Sequence, residues 1–346
     1  MAETLTTSAL TLKDIAREAG VSLATVDRVL HNRPGVRPDT VRRVKEAIER
    51  NSFQPHVAAA ELARGRARRF AFVMPSGPNP FMQQIEAYLG EMSAWLSARR
   101  LSVETVTTDV FDPSVLAASL EALSGDCDGV AVVALDHPSV RAAINDLVDA
   151  GTKVVTLVSD VPSSRRHHYV GIDNIAAGRT AGALVGRLVG QKSGKVAIVA
   201  GSQGLRDHAE RIFGFNQVMA SEFPDLSVLP VLEGRDEDGR SEQVMARLLA
   251  KHADIVGLYN VGAGTQGVAK ALSDAGRDEV VFVGHDVTVL TRRLLLQGVM
   301  DAAISQNPGH EARAAVRVLL ALARGEPILR EHDKIRIDIV MRDNLP

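Results

Sequence analysis

From Phe70 onward, short runs of Val, Ile and Ala alternate with stretches of helical period, and this alternation restricts the chain to few architectures. Strands are expected near 70–73, 103–106, 129–134, 153–158, 169–172, 195–200, 227–232, 255–260, 280–285 and 300–305, with helices between them. Continuous apolar strands joined by helices make parallel sheet covered on both faces. Ten such units exceed what one open sheet comfortably holds, so the reading is a two-lobed, doubly wound α/β core. Residues 334–340 alternate polar and apolar and are expected as an edge strand. The last strands must return to both lobes, which places one lobe at about 70–172 and 307–325 and the other at about 173–306 and 326–340.

The 69 residues before this core have a different character. They hold 13 Lys plus Arg against 8 Asp plus Glu, a net of +5, whereas the remainder holds 27 against 34, a net of −7. Concentrated basic charge suits a polyanion, because each Lys or Arg that meets a phosphate releases condensed counterions; a solvated basic tail is the alternative. One cysteine, Cys127, allows no internal disulfide. The opening MAETLTTSAL lacks a basic start followed by an apolar stretch, and no apolar run approaches membrane-spanning length. A cytoplasmic protein without a membrane partner is expected.

In TLKDIAREAGVSLATVDRVLHN, Leu12, Ile15, Ala16 and Ala19 share one helical face, with Thr11 and Asp14 placed as a capping box. Gly20 suits a left-handed turn, and Ser22 is placed to cap a second helix that buries Val26, Val29 and Leu30. Small Ala16 at the crossing, Gly20 four residues on, and branched Val26 and Val29 together make a helix-turn-helix. A third helix is expected over 38–50, with Val41, Val44, Ala47 and Ile48 inward. The whole stretch from Thr11 to Pro55 resembles the headpiece of the lactose repressor family of transcriptional regulators. The resemblance implies that Leu23, Ala24 and Arg28 read base edges in the major groove, Arg28 by a bidentate contact to guanine. Thr25 and Asn32 are expected beside them at the DNA. Asp27 stands where that family usually has a phosphate-contacting serine, and Arg37 where a capping serine is common. We assign 10–54 to this headpiece and 55–69 to a hinge helix and linker. By resemblance Leu62 is the residue that wedges into the minor groove; a plain linker helix is the alternative.

Ligands of open α/β sheets sit beyond the carboxyl ends of the strands. Those ends carry Asn79, Pro80 and Phe81; Asp136 and His137; Ser159 and Asp160; Asp173 and Asn174; Asn260; Asp286; and Gln306 and Asn307. Amides and carboxylates with one aromatic suit a hydroxyl-rich ligand, although strand-end polarity and helix capping call for the same residues. The core also resembles periplasmic sugar-binding proteins of the ribose and galactose type, through NPF, GIDN, ERIFGF, VGHD and ISQNP. That resemblance implies Phe81 stacking on a sugar ring and Asp160, Arg211, Asn260, Asp286 and Gln306 bonding its hydroxyls, with Asp136 added from its strand end. The second aromatic common in those proteins is not evident near 235–238.

Other constellations compete less well. Gly262, Gly264 and Gly267 spell GxGxxG between a strand and a helix, which would suit a dinucleotide, yet they fall on about the eighth strand rather than opening a βαβ domain. AGSQG around Ser202 lacks the first glycine of a nucleophile elbow, and after His310 and Glu311 position 314 is Ala where a zinc motif needs His. No catalytic group, metal or cofactor is expected. The expectation is a ligand-responsive DNA-binding regulator, a homodimer on operator DNA that represses carbohydrate genes and takes a sugar or polyol effector. A nicotinamide-nucleotide-sensing repressor and a solute-binding protein are the alternatives.

Overall fold

The structure is a computed structural model that describes residues 12–30, 34–51, 67–329 and 333–346. The chain divides into two compact units, Met1–Arg66 and Ala67–Pro346. The first contains α1 (Leu12–Ala19), α2 (Leu23–Leu30) and α3 (Pro38–Arg50). Gly20 ends α1 at φ 64°, which lets the Val21 N–H reach back to the Ala16 carbonyl at 3.0 Å. Ser22 then starts α2, its hydroxyl accepting from the Thr25 N–H at 3.2 Å. Ile15, Ala16, Ala19, Val26, Val29, Val44 and Ala47 form the small core, with Leu30, Val41 and Ile48 at its edge. Arg37 provides no side-chain cap to α3, and Pro38 alone presets the first turn. Thr11, Asn32 and residues 52–66, which include Leu62 and most of the hinge segment expected over 55–69, lie outside the described residues.

The second unit is built on two sheets. β1 (Arg68–Pro75), β2 (Leu101–Thr108), β3 (Gly129–Val132), β4 (Lys153–Leu157) and β5 (His168–Val170) form the first, in the order β2-β1-β3-β4-β5. β6 (Gly194–Ala200), β7 (Leu226–Val228), β8 (Leu232–Glu233), β9 (Ile255–Asn260), β10 (Val281–His285), β11 (Ala302–Ser305) and β12 (Asp338–Val340) form the second. Its order is β12-β11-β10-β9-β6-β7, with β8 also on β6 and only β12 antiparallel. Each sheet winds outward in both directions from its first strand. The winding reverses between β1 and β3 and again between β6 and β9, the two places where such sheets open a ligand crevice.

Strand periodicity explains the layering. In β1, Phe70, Phe72 and Met74 point to one face and Ala71 and Val73 to the other, each into a separate apolar layer. Helices cover both faces of each sheet. The first lobe carries α4 (Pro80–Glu91), α5 (Ser93–Ser97), α6 (Pro113–Glu121) and α7 (Pro138–Asp149). The second carries α8 (Asn174–Val189), α9 (Arg206–Glu222), α10 (Asp238–Lys251), α11 (Thr265–Asp274) and α12 (Val289–Gln297). α13 (Pro308–Arg324) follows β11 of the second lobe yet packs on β3, β4 and β5 of the first, and β12 then returns to the second. Among the described residues no helix is long and apolar enough to cross a membrane.

Three boundaries differ from the sequence reading. β1 begins at Arg68, inside the span assigned to the linker, because Arg68 and Arg69 already pair with Leu101 and Ser102. The single strand expected over 227–232 is two short ones, since Pro230 has no N–H to give the ladder. The edge strand expected over 334–340 is ordered as strand only from Asp338, where it pairs with Ser305.

Candidate functional site

The carboxyl ends of the first and second sheets face each other across a cleft lined from both lobes. Phe81 and Phe111 give it two aromatic walls on the first-lobe side, joined by Val133 and Val158. The polar wall comes from the second lobe, with Asp207, His208, Arg211, Asp236 and Asp286, and from Gln306 in the crossover to α13. The cavity volume is about 60 Å³, so the cleft is closed down tightly and leaves no room for an oligomer.

Arg211 is the centre of the polar wall, and a glycine stripe puts it there. Gly178, Gly182 and Gly186 recur every fourth residue along α8, on the side that meets α9. A Cβ on Gly178 would stand 1.9 Å from the Arg211 carbonyl oxygen, and one on Gly214 of α9 would stand 2.2 Å from the Ile175 carbonyl oxygen. Without those carbons the two helices approach backbone to backbone, and Arg211 enters the interior only 2% exposed. Its Nε donates to Asn174 Oδ1 (2.8 Å), Nη1 to the Val261 carbonyl (3.0 Å) and Nη2 to Gln306 Oε1 (2.9 Å). Asn174 Nδ2 in turn donates to the Tyr169 hydroxyl at 3.1 Å, and Gln306 Nε2 to Asp286 Oδ2 at 3.2 Å. This chain of bonds runs beside two of the three crossovers, those at 171–173 and 306–307. Three non-glycine residues along it hold left-handed backbone, Val158 (φ 62°), Asp286 (φ 66°) and Asn307 (φ 54°), a costly conformation above all for branched Val158.

The electrostatics are lopsided. Asp286 is pushed up to about 7, chiefly by burial, against the opposing pull of Arg211. Burial, with Asp286 and Asp207 nearby, raises the carboxyl of Glu311 well above its usual range, and this residue is 0% exposed in the first turn of α13. Burial also raises Asp236 and drives His285 well below the usual imidazole range. Several buried atoms have no hydrogen-bond partner, namely Asp207 Oδ1, Asp286 Oδ1, Asn260 Oδ1 and both Glu311 carboxylate oxygens. Hydrogen bonds also tie the lobes across the cleft mouth. Asn79 Nδ2 donates to Asp236 Oδ2 (3.3 Å), Gln84 Nε2 to the Val287 carbonyl (3.1 Å), and Arg235 pairs with Asp109 at 3.1 Å.

Of the expected ligand residues, the structure brings Phe81, Arg211, Asp286 and Gln306 together in the cleft lining and leaves three elsewhere. Asp136 is consumed by Arg141 at 2.8 Å, with Arg206 at 3.6 Å. Asp160 is clasped by Arg166 through both oxygens and also accepts from the Thr156 hydroxyl and the Val161 N–H. Asn260, fully buried, spends its amide on the Gly262 and Ala263 carbonyls and the Thr265 hydroxyl, shaping the glycine loop rather than facing the cavity. Asn79, His137, Asp173 and Asn307 cap helices. Phe111, Asp207, His208 and Asp236 were not foreseen; Asp207 sits one turn before Arg211, a spacing that could have flagged it.

The GxGxxG segment has a packing explanation. A Cβ on Gly264 would stand 2.2 Å from Ser241 Oγ, and one on Gly267 would stand 1.8 Å from the Asp238 carbonyl oxygen. The loop N–H of Ala263 donates to Asp236 Oδ1 at 3.0 Å, so a carboxylate occupies ground that a pyrophosphate would need. In the N-terminal unit, Leu23, Ala24 and Arg28 are exposed on α2 and Thr25 is half-buried. Arg28 lies beside the loop at Gly35, whose Cβ position would be 3.7 Å from its guanidinium.

Comparison with known proteins adds the following. The family described as "Periplasmic binding protein domain" matches residues 70–327, and "Bacterial regulatory proteins, lacI family" matches residues 11–56. Catabolite control protein A of Priestia megaterium is 23% identical over 297 residues, 86% of this chain and 79% of that protein. The HTH-type transcriptional regulator DegA of Bacillus subtilis is 23% identical over 81% of this chain and 82% of its own. Among solved structures, GanP, a glucose-galactose binding protein from Geobacillus stearothermophilus, superposes with a TM-score of 0.73 at 23% identity, covering 81% of this chain and 99% of its own. A solute binding protein from Burkholderia graminis in complex with D-arabinose gives 0.73 at 25%, covering 81% and 97%.

Proposed function

The chain belongs to the periplasmic binding protein domain family through its core and carries a lacI-family regulatory domain at its N-terminus, and from that premise we propose a ligand-responsive DNA-binding repressor of carbohydrate genes. The observation that carries this reading is the pairing, in one chain, of a helix-turn-helix with exposed Leu23, Ala24 and Arg28 and a two-lobed core whose cleft lies at both winding reversals. On this reading Arg28 contacts guanine, Leu23 and Ala24 give apolar contact to thymine methyls, and Thr25 and Asn32 help position the helix. A headpiece this small reads one half-site, so the protein acts as a homodimer on a near-palindromic operator, with Leu62 of each hinge segment at the central minor groove. It works in the cytoplasm and catalyses no reaction.

The effector is a single-ring sugar or polyol stacked between Phe81 and Phe111 and bonded by Arg211, Asp286 and Gln306. Gln306 lies in a crossover, so a ligand bonded to it favours one lobe angle over another. That differential affinity is what shifts the operator equilibrium, by about 1–3 kcal/mol in a typical coupled system, or 5- to 150-fold. The test is selection of a preferred DNA sequence by the full-length protein, followed by gel shift with and without a panel of monosaccharides. Binding to all DNA sequences with one affinity, or an operator affinity that no sugar moves, would refute the reading.

A further inference from the structure

We propose that the cleft selects a single-ring ligand carrying a protonated amine, an amino sugar or aminocyclitol, over its neutral parent, and rejects phosphate esters and sugar acids. The inference deepens the effector reading above and rests on it.

The first observation is charge. Four carboxylates, Asp207, Asp236, Asp238 and Asp286, line the cavity, with Glu311 buried behind them, and Arg211 is the guanidinium among the lining residues. Arg211 has placed Nε, Nη1 and Nη2 on two amide oxygens and a carbonyl, all neutral acceptors. Asp207 is the carboxylate paired with it, and its Oδ2 lies 3.9 Å from Nη2, beyond hydrogen-bond reach. His208 Nδ1 accepts from the N–H groups of Gly201 (3.2 Å) and Ser202 (3.4 Å), and its Nε2 lies 3.6 Å from Asp207 Oδ2, so even this imidazole leaves the carboxylates in excess. His285 takes its bond with the Tyr259 hydroxyl (2.7 Å) through Nε2, and burial keeps its ring uncharged. An entering phosphate or carboxylate would meet uncompensated negative charge in a low-dielectric cleft.

The second observation is unmet hydrogen bonding. Asp207 is 4% exposed, and its Oδ1 has no partner; Asp286 Oδ1 is likewise buried and unpartnered. Both residues line the cavity, and the charge on Asp207 raises the cost of ionising Asp286. An ionised carboxylate only accepts, and an ammonium only donates, three times. A hydroxyl at the same place brings one donor and two lone pairs, and the lone pairs would face carboxylate oxygens. Charge-assisted bonds to two orphaned oxygens are stronger than the neutral ones a hydroxyl could form. Asp286, raised by burial to about 7, is near half-protonated at neutral pH, so an ammonium beside it drives it to the ionised form and releases a proton to the buffer.

Isothermal titration of the full-length protein at pH 7 tests this, in two buffers of different ionisation enthalpy. The probes are glucosamine, galactosamine, mannosamine and 2-deoxystreptamine, each against its neutral counterpart (glucose, galactose, mannose or myo-inositol), together with the N-acetyl hexosamines and hexose 6-phosphates. The expected result is that at least one amine binds tenfold or more tightly than both its neutral counterpart and its N-acetyl form, with net proton release. In Asp207→Asn that preference falls below threefold while the operator gel shift is retained. A neutral sugar that binds as tightly as its amine, or a phosphate that binds at all, overturns this inference and leaves the effector reading standing. Absence of binding by every probe overturns both.

Discussion

Gly178→Ala sets two well-characterised effects against each other. Mid-helix alanine is favoured over glycine by about 1 kcal/mol, so on propensity alone the substitution would stabilise α8. The added Cβ, however, would lie 1.9 Å from the Arg211 carbonyl oxygen, where carbon–oxygen contacts ordinarily begin at about 3.3 Å. The obstacle is backbone, which cannot rotate aside, so α8 and α9 must separate by roughly 1 Å; overpacking of this kind costs about 1–3 kcal/mol, and separating the helices also loosens the apolar contacts beside Gly182 and Gly186. The net expectation is a loss of about 1–2 kcal/mol. Function should suffer as well: a 1 Å displacement of Arg211 stretches its 2.9 Å bond to Gln306 past hydrogen-bond range. Gly90→Ala is the control, because it lies in α4 with nothing within 4 Å of the new methyl. Urea unfolding followed by circular dichroism should show Gly90→Ala at or above the parent and Gly178→Ala clearly below it. If Gly178→Ala matched or exceeded the parent, the claim that the glycine stripe positions Arg211 would be wrong.

Three further outcomes follow from the same geometry. The folded protein holds Asp286 at about 7, far above the usual carboxylate range, so the stability it lends is full below about pH 4 and is lost as pH rises through 7. Asp286→Asn should therefore raise the melting temperature, relative to the parent, more at pH 8 than at pH 5, and an equal difference at both would contradict the assignment. Arg28→Ala should cost about 1–3 kcal/mol at one base pair per half-site and relax preference there, measured by competition against single-base operator variants; a uniform loss on all DNA would make Arg28 a phosphate contact. Arg235→Ala removes the half-exposed pair with Asp109 across the cleft mouth, which should change stability by less than about 1 kcal/mol yet speed ligand dissociation in stopped-flow. Unchanged dissociation would mean the pair does not latch the lobes.

Much of the architecture was legible because it rests on local signals. The period of α3 and its Pro38 start give its limits, and the apolar runs expected as strands over 70–73 and 195–200 lie inside β1 and β6. Strand boundaries were less legible, since pairing partners far along the chain decide them, as Leu101 does for Arg68. Within the site, strand-end position pointed to Phe81, Asp286 and Gln306 and the resemblance added Arg211; all four line the cleft, but neither signal could say which polar ends were already spoken for. Asp160 lost its place to Arg166, six residues on in a loop, and Asp136 to Arg141 and Arg206. Phe111 went unread because it follows β2, and only the spatial order, with β2 beside β1, brings that strand's end to the cleft. The glycines of α8 are plain in the sequence, but their meaning depends on a partner helix that periodicity does not identify.

The return of α13 to the first sheet bears on how such a chain can be inherited. A crossover between related genes anywhere from β6 to β11 would graft a foreign α13 onto the face carrying Phe70 and Phe72, and a foreign β12 onto the second sheet's edge. Neither lobe is a contiguous cassette. The N-terminal unit, by contrast, ends at Arg66 and can be traded whole. A new N-terminal unit can therefore arrive by recombination in one event, whereas a cleft lined from both lobes changes by single substitutions around it.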